Sequence, residues 1–180
     1  MYLESKEIVP HPADLVYPLV RDEMQKIVPY LPNIERIDTV QREDRGDGRH
    51  YRLNHWYAVA NLPRFLSGII KPEFFAWKDF AEWRDAGYCV DYRLEGFWLT
   101  ELYTCSGTNF FQPVDAEHTE IKITCGIEIY PDRVPGVPKL IVKRAMPAIE
   151  AMVRQLLEPN LTSLATGIKG YFDAQGKPSL

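Results

Sequence analysis

The sequence lacks the marks of a disulfide-stabilised or membrane-spanning protein. It has only three cysteines in 180 residues, Cys89, Cys105 and Cys125, and their odd number and wide spacing fit neither a disulfide framework nor a zinc knuckle. No stretch approaches the roughly 18 uncharged apolar residues that a membrane helix requires. The N-terminus also has no apolar core of a secretory signal. We therefore predict buried thiols, a cytoplasmic location and no integral membrane segment.

The charge pattern lacks a long block of one sign. Basic residues number 21 and acidic residues 25, which gives a formal net charge of -4 at pH 7. Because the two signs are well mixed, the sequence predicts no nucleic-acid partner. A nucleophile elbow, a P-loop, a dinucleotide-binding fingerprint and a zinc-protease motif are all missing. The sequence therefore predicts no cofactor and favours a role that is not enzymatic.

The chain does contain a succession of strand-like runs that ends in one long helix. Alternating apolar and polar residues predict strands at 2–9, 34–41, 49–59, 74–84, 88–95, 101–112 and 118–130. Asp14 is a candidate N-cap for a helix that runs to about Val28. In the C-terminal third, apolar residues recur at steps of three and four. Pro147 favours a short lead-in from Lys139 and a main helix that begins near Ala145.

Residues 60–73 interrupt the strand pattern with an amphipathic insertion. Its apolar side chains, at 62–70, look exposed, which leaves two interpretations open. They could cover a cavity as a lid, or they could dock a protein partner. No repeat or linker divides the sequence, so we predict a single domain over residues 1–180.

Three segments resemble the START and polyketide-cyclase superfamily, also called SRPBCC. They are the opening IVPHPADLVYPLVRD, the turn VPYLPNIERID and the closing MPAIEAMVRQLLEPNLTSLATGIKGYFD. The resemblance implies an α+β helix-grip fold, in which a curved antiparallel sheet of about six to seven strands wraps around a long C-terminal helix. It also implies small helices after the first strand and between strands. Members of this superfamily bind lipids, sterols, polyketides or hormones between sheet and helix, and a minority are cyclases, aromatases or Rieske-type oxygenase domains.

The candidate ligand-binding residues are those expected on the inner faces of the strands and the helix. On the strand at 49–59, we expect the face that carries Tyr51, Leu53, His55 and Tyr57 to point inward. Aromatic residues are dense between positions 74 and 103, which suits a cavity that grips an apolar ligand, although aromatic residues also favour strands in general. The full candidate set is Tyr51, Leu53, His55, Tyr57, Trp77, Tyr92, Ile123, Cys125, Ile127, Met146, Ile149, Val153 and Leu157.

Two residues are candidates for acid-base chemistry, His55 and Asp79. His55 could present an imidazole to a ligand, or it could be a satisfied polar residue of the core. Which face of the strand at 74–84 points inward is left open. If Asp79 points inward, burial would raise the pKa of its carboxyl group. A shared proton-transfer role requires the two side chains to converge within about 6 Å in one cavity.

The spacing Asp47-x2-His50-x4-His55 is similar to the iron-ligand pattern of Rieske oxygenase catalytic domains. Such a site needs two imidazoles and a carboxylate that converge on one metal ion. Here the two histidines are five residues apart on a predicted strand, so they point to opposite faces. We therefore interpret the spacing as coincidence and predict no metal site.

Three functions remain open on these grounds. The first is binding or carriage of an apolar or amphipathic small molecule between the sheet and the C-terminal helix. The second is a polyketide cyclase or aromatase-like enzyme that uses acid-base residues of the cavity. The third is a protein-interaction module that uses the insertion at 62–70.

Overall fold

The structure is a computed structural model that describes residues 1–59, 76–97, 100–101, 103–130, 133 and 139–176. Within 139–160, side chains are described only at positions 144, 146, 147, 150, 151, 154 and 158. The predicted insertion at 60–73, the docking surface proposed for it and any helix between strands there lie outside the described residues.

Seven antiparallel strands form one curved, open sheet. In chain order they are β1 (Tyr2–Val9), β2 (Ile34–Asp44), β3 (Arg49–Ala58), β4 (Ala76–Arg84), β5 (Cys89–Gly96), β6 (Tyr103–Pro113) and β7 (Thr119–Ile129). Their spatial order is β1-β7-β6-β5-β4-β3-β2, so β2 to β7 form a meander and β1 pairs with the last strand. The predicted strand content is confirmed.

The first helix is shorter than predicted. Helix α1 spans Ala13–Asp22, and Glu23 then leaves the helical region with φ -130 and ψ 29. Two single-turn 3₁₀ helices, Met24–Lys26 and Val28–Tyr30, occupy the rest of the segment. The prediction of Asp14 as N-cap is wrong, because the cap position belongs to Pro12 and Asp14 lies in the first turn.

The C-terminal helix is continuous. Helix α2 spans Lys139–Gln175, 37 residues, and it runs through the prolines at positions 147 and 159. The prediction of a separate lead-in and a new start near Ala145 is therefore wrong. Each proline removes one backbone hydrogen bond, but helix propagation on both sides is cooperative, so a helix of this length can tolerate the loss. No helix in the described part of the chain is long and apolar enough to cross a membrane.

The main core lies where α1 and the C-terminal half of α2 pack on one face of the sheet, which we call the inner face. From α2, Ala165 and Ile168 are buried there. From α1, the ring of Tyr17 lies edge-on to Trp83 and Phe111, with ring centroids 5.5 and 5.8 Å apart. The aromatic contacts and the buried apolar area hold this end of the inner face closed against the two helices.

Candidate functional site

The cross-strand register shows which side chains share the inner face. Trp56 of β3 lies opposite Trp77 of β4, and Asn54 lies opposite Asp79. In the same register Trp83 lies opposite His50, so it points to the same side of the sheet as Trp77 and Asp79. Trp83 packs against α1, which identifies this side as the inner face. Arg52, Asn54 and Trp56 therefore point inward from β3.

The prediction that Tyr51, Leu53, His55 and Tyr57 face the interior is wrong. These four residues alternate with the inward set and lie on the outer face of β3. Their half-buried aromatic rings are covered by cations rather than by helices, with the guanidinium of Arg45 4.7 Å from the Tyr51 ring and that of Arg36 4.1 Å from the Tyr57 ring. Cation-π contacts of this kind let aromatic residues cover an outer sheet face without a hydrophobic partner.

His55 packs edge-on against Phe97 on this outer face, with ring centroids 4.8 Å apart. Burial and the nearby charge of Lys78 lower the pKa of its imidazole. Asp79 points to the other side of the sheet. The two acid-base candidates therefore do not share a cavity, and a proton relay between them is excluded.

Five other predicted site residues do share the inner face. Trp77 and Tyr92 lie there partly exposed, whereas Ile123, Cys125 and Ile127 are buried. The exposed members lie toward the end of the sheet away from α1, at the start of β4 and along β5. The inner face is therefore closely packed at one end and only partly covered at the other.

The predicted contribution of α2 is described only in part. Met146 is partly buried, and the side chains of Ile149, Val153 and Leu157 lie outside the described residues. A residue further along the helix, Leu161, packs against the small cluster of Leu3, Cys105, Cys125 and Ile127. Its backbone oxygen also accepts a hydrogen bond from Ser5 Oγ at 3.2 Å, which ties α2 to β1.

Asp79 is the polar centre of the partly covered end. Its Oδ2 accepts a hydrogen bond from Trp56 Nε1 at 3.3 Å, whereas its Oδ1 is inaccessible to solvent and has no hydrogen-bond partner among the residues that the structure describes. Burial raises the pKa of this carboxyl group to about 6, although hydrogen-bonding groups of Asn54 and Trp56 oppose the rise. A carboxyl group with such a pKa can accept or donate a proton near neutral pH.

A chain of hydrogen bonds leads from Gln25 to Asn54, which lies opposite Asp79. Gln25 Nε2 donates to Thr39 Oγ1 at 2.5 Å, and Thr39 Oγ1 donates to Asn54 Oδ1 at 2.9 Å. The side-chain oxygen of Asn54 is therefore occupied, which fixes the orientation of its amide on the face that carries Asp79. Sequence reasoning missed this network because its members come from one 3₁₀ helix and two strands.

A second polar arrangement lies beside the two buried thiols of the inner face. Tyr92 donates its hydroxyl proton to the backbone oxygen of Thr124 at 2.8 Å. The Thr124 hydroxyl joins β7 to β6 by two hydrogen bonds. It accepts one from the backbone N–H of Thr108 at 2.9 Å and donates the other to the backbone oxygen of Thr108 at 2.8 Å. The Sγ atoms of Cys105 and Cys125 are 3.6 Å apart. The hydrogen bond from Cys105 lowers the pKa of Cys125 to about 7, against the effect of burial.

The closed end of the inner face carries a compensated charge cluster, which the sequence did not reveal. Arg52 is only 5% exposed and donates to Asp22 Oδ1 at 2.8 Å and to Asp44 Oδ1 at 3.2 Å. His50 lies between Asp44, 2.7 Å from Nδ1, and Asp85, 3.1 Å from Nε2. Arg21 completes the cluster with ion pairs to Asp22 and Asp85.

This cluster also accounts for the iron-like spacing of Asp47, His50 and His55. Asp47 lies in the turn between β2 and β3 with a φ of 50°. His50 contacts Asp44 and Asp85, and His55 points to the opposite face of the strand, as the strand geometry predicts. The three side chains do not converge on one point.

Comparison with solved structures matches nearly the whole chain. The protein TTHA0849 from Thermus thermophilus superposes with a TM-score of 0.67 and 21% identity, over 98% of this chain and 100% of its own. The Zhui aromatase/cyclase from Streptomyces sp. R1128 gives 0.64 and 18%, over 99% of each chain. A START superfamily protein from Mycobacterium smegmatis gives 0.52 and 12%, over 97% of this chain and 98% of its own.

The chain has the helix-grip fold of the START and polyketide-cyclase superfamily. No family profile matches the sequence, and no curated protein matches it by sequence. At these identities the likeness establishes the fold alone. In this helix-grip protein, the partly covered inner face around Asp79 is the candidate functional site.

Proposed function

We propose that the protein binds an apolar or amphipathic small molecule between the inner face of the sheet and α2. The observation that carries the proposal is the partial exposure of the inner-face residues Trp56, Trp77 and Tyr92 around the buried carboxylate of Asp79. Aromatic rings that surround one polar group are typical of small-molecule sites, where apolar area supplies affinity and a few polar atoms fix orientation. Ile123, Cys125 and Ile127 would form the floor of this site.

An enzyme of the cyclase or aromatase type is the second candidate. Asp79 supports it, because a carboxyl group with a pKa of about 6 suits proton transfer at neutral pH. In this version Asp79 acts without His55, which lies on the outer face. One of the structures compared above is an aromatase/cyclase, but a shared fold does not by itself imply a shared activity, so this candidate rests on Asp79.

The compartment is part of the same proposal. All three cysteines are free thiols, and Cys105 and Cys125 lie in contact without a bond. Free thiols in such proximity are typical of proteins from reducing compartments, which supports the cytoplasm as the location.

Nuclear magnetic resonance of the tryptophan indole N–H groups tests the binding proposal. The signals of Trp56 and Trp77, assigned with single Trp→Phe variants, should shift when apolar probes such as dodecanol or naphthylmethanol are added. The signal of Trp83, buried against α1, is the internal control and should stay unchanged. Uniform shifts of all three signals, or none at saturating probe, would contradict binding at this site.

A further inference from the structure

We propose that the ligand is an amphipathic amine, whose protonated nitrogen pairs with the carboxylate of Asp79. This inference rests on the proposed ligand site and adds the chemical class of the ligand. Three observations carry it: the charge balance at the two ends of the inner face, the neutral surroundings of Asp79 and the aromatic rings beside it.

The closed end of the inner face shows that its acidic groups are matched by cations. Asp22, Asp44 and Asp85 each pair with Arg21 or Arg52 at distances of 2.5 to 3.2 Å. Burial would raise the pKa of Asp22, but the hydrogen bonds from Arg21 and Arg52 outweigh it and the pKa is lowered. Buried charges in proteins are normally compensated in this way.

Asp79, at the other end, has no such partner among the described side chains. Asn54 and Trp56 face it from β3, Leu94 lies opposite it on β5, and Tyr92 and Cys105 lie close enough to feel its charge. None of these groups is a cation. In the part of the chain that the structure describes, no lysine or arginine forms an ion pair with Asp79, and the nearby Lys78 points to the outer face, where it pairs with Glu95.

A protonated amine supplies both things that Asp79 lacks. Its N–H donates to Oδ1, which has no partner in the described part of the chain, and its charge compensates the carboxylate, which a neutral hydroxyl donor does not. The indoles of Trp56 and Trp77 lie nearly parallel beside Asp79, with an interplanar angle of 14° and centroids 5.8 Å apart. Indole faces attract cations and apolar groups alike, so the same site suits both ends of an amphipathic amine.

The test compares two probes of equal size that differ in charge, naphthylmethylamine and naphthylmethanol, with dodecylamine and dodecanol as a second pair. Affinities are measured by calorimetry at about pH 7.5, where the amines are protonated and a carboxyl group with a pKa near 6 is ionised. We expect the amine to bind about tenfold more tightly than the alcohol, which is the effect of one charge-assisted hydrogen bond. Asp79→Asn should remove this preference, so that the amine binds no more tightly than the matched alcohol.

Glu95→Gln is the matched control, because it removes one negative charge from the outer face of the neighbouring strand. It should keep the preference for the amine. Equal affinities for amine and alcohol in the unmodified protein, or a preference that Glu95→Gln abolishes as fully as Asp79→Asn, would overturn the amine inference while the alcohol still reports binding. If no member of either pair binds, the proposed function fails and the inference fails with it.

Discussion

Trp56 Nε1 donates to Oδ2 of Asp79 at 3.3 Å, while no described residue forms a hydrogen bond with Oδ1 of the same carboxylate. The carboxylate is therefore half satisfied in a site where burial raises its pKa to about 6. Folding removes this group from water without replacing all of its hydrogen bonds, which costs stability. Such a cost at one residue is typical of sites that serve a ligand or a reaction rather than the fold.

The first prediction is that Asp79→Asn stabilises the unliganded protein at neutral pH. The pKa of Asp79 is about 6 in the folded chain and about 4 in the unfolded chain. Between these two pH values the folded chain keeps the proton and the unfolded chain has lost it, so the free energy of unfolding decreases as pH rises from about 4 to about 6. Above about pH 6 the folded protein carries the full free-energy cost of a buried, ionised carboxylate, on the order of 1 to 3 kcal/mol. We expect the variant to gain about this much at pH 7.5 in urea unfolding, and little near pH 4.

Glu95→Gln provides the comparison for this experiment too, since it makes the same change in net charge at an exposed ion pair. Its stability should change by less than about 1 kcal/mol. A loss of stability at neutral pH in Asp79→Asn would show that the carboxylate contributes to the fold, against the reasoning above.

Part of this arrangement could be predicted from the sequence because alternation fixes the faces of some strands. In β7, isoleucine and cysteine alternate with polar residues, and the buried side chains Ile121, Ile123, Cys125 and Ile127 follow that pattern. In β5 the same holds for Val90 and Tyr92. The order of the elements and the long C-terminal helix could be predicted from the periodicity of the apolar residues and from the prolines and glycines that mark the turns between elements.

Strand β3 could not be assigned in this way, because both of its faces carry large side chains. Its inward face contains Arg52 and Asn54, two polar residues for which a sequence pattern predicts exposure. They are buried because Arg52 bonds to Asp22 and Asn54 bonds to Thr39. Those partners are distant in sequence and reach β3 only through the tertiary fold. The same reason hid the hydrogen bonds from Gln25 through Thr39 to Asn54, since no local pattern indicates which polar side chains meet in a folded sheet.

The second prediction concerns Gly107 of β6, which the backbone of β7 approaches closely at Thr124. A Cβ atom at this position would be 1.9 Å from the backbone oxygen of Thr124 and 2.9 Å from the hydroxyl of Tyr92. Because the nearest atom is backbone, it cannot move aside without separating the strands. Gly107→Ala should therefore lower the free energy of unfolding by roughly 3 kcal/mol or more.

Gly126→Ala, on the neighbouring strand, serves as the control for Gly107→Ala. Its nearest contact would be the backbone oxygen of Ser106 at 3.4 Å, an ordinary van der Waals distance. Urea unfolding of both variants measures the difference. Similar losses in the two variants would mean that alanine is disfavoured in these strands for a reason other than the close approach of Thr124.

The third prediction is that Arg52→Met destabilises the protein strongly. Arg52 is nearly fully buried and forms ion pairs with Asp22, which is partly buried, and with Asp44, which is exposed. Its loss leaves the partly buried carboxylate of Asp22 with the ion pair to Arg21. We expect a loss of about 2 to 4 kcal/mol in urea unfolding, since removal of one partner leaves a partly buried charge less well compensated.

Arg45→Met separates this effect from the loss of any arginine. Arg45 pairs with Glu43 and Glu82 on the outer face and is 43% exposed. Exposed ion pairs contribute about 0 to 1 kcal/mol, so this variant should remain close to the unmodified protein. Equal costs at both positions would contradict the assignment of Arg52 to a buried cluster.

The fourth prediction contrasts the two faces of the sheet in ligand binding. Trp77 lies partly exposed on the inner face, whereas His55 packs against Phe97 on the outer face. Trp77→Phe should weaken binding of naphthylmethanol by roughly threefold, because a smaller ring buries less area and loses the stacked contact with Trp56. His55→Gln should leave the affinity unchanged, although the sequence made His55 a candidate site residue. The affinities are compared by calorimetry, with thermal unfolding to show that both variants are folded.

A larger effect from His55→Gln than from Trp77→Phe would place the ligand on the outer face, among the cation-covered rings of Tyr51 and Tyr57, and would reverse the assignment of the site.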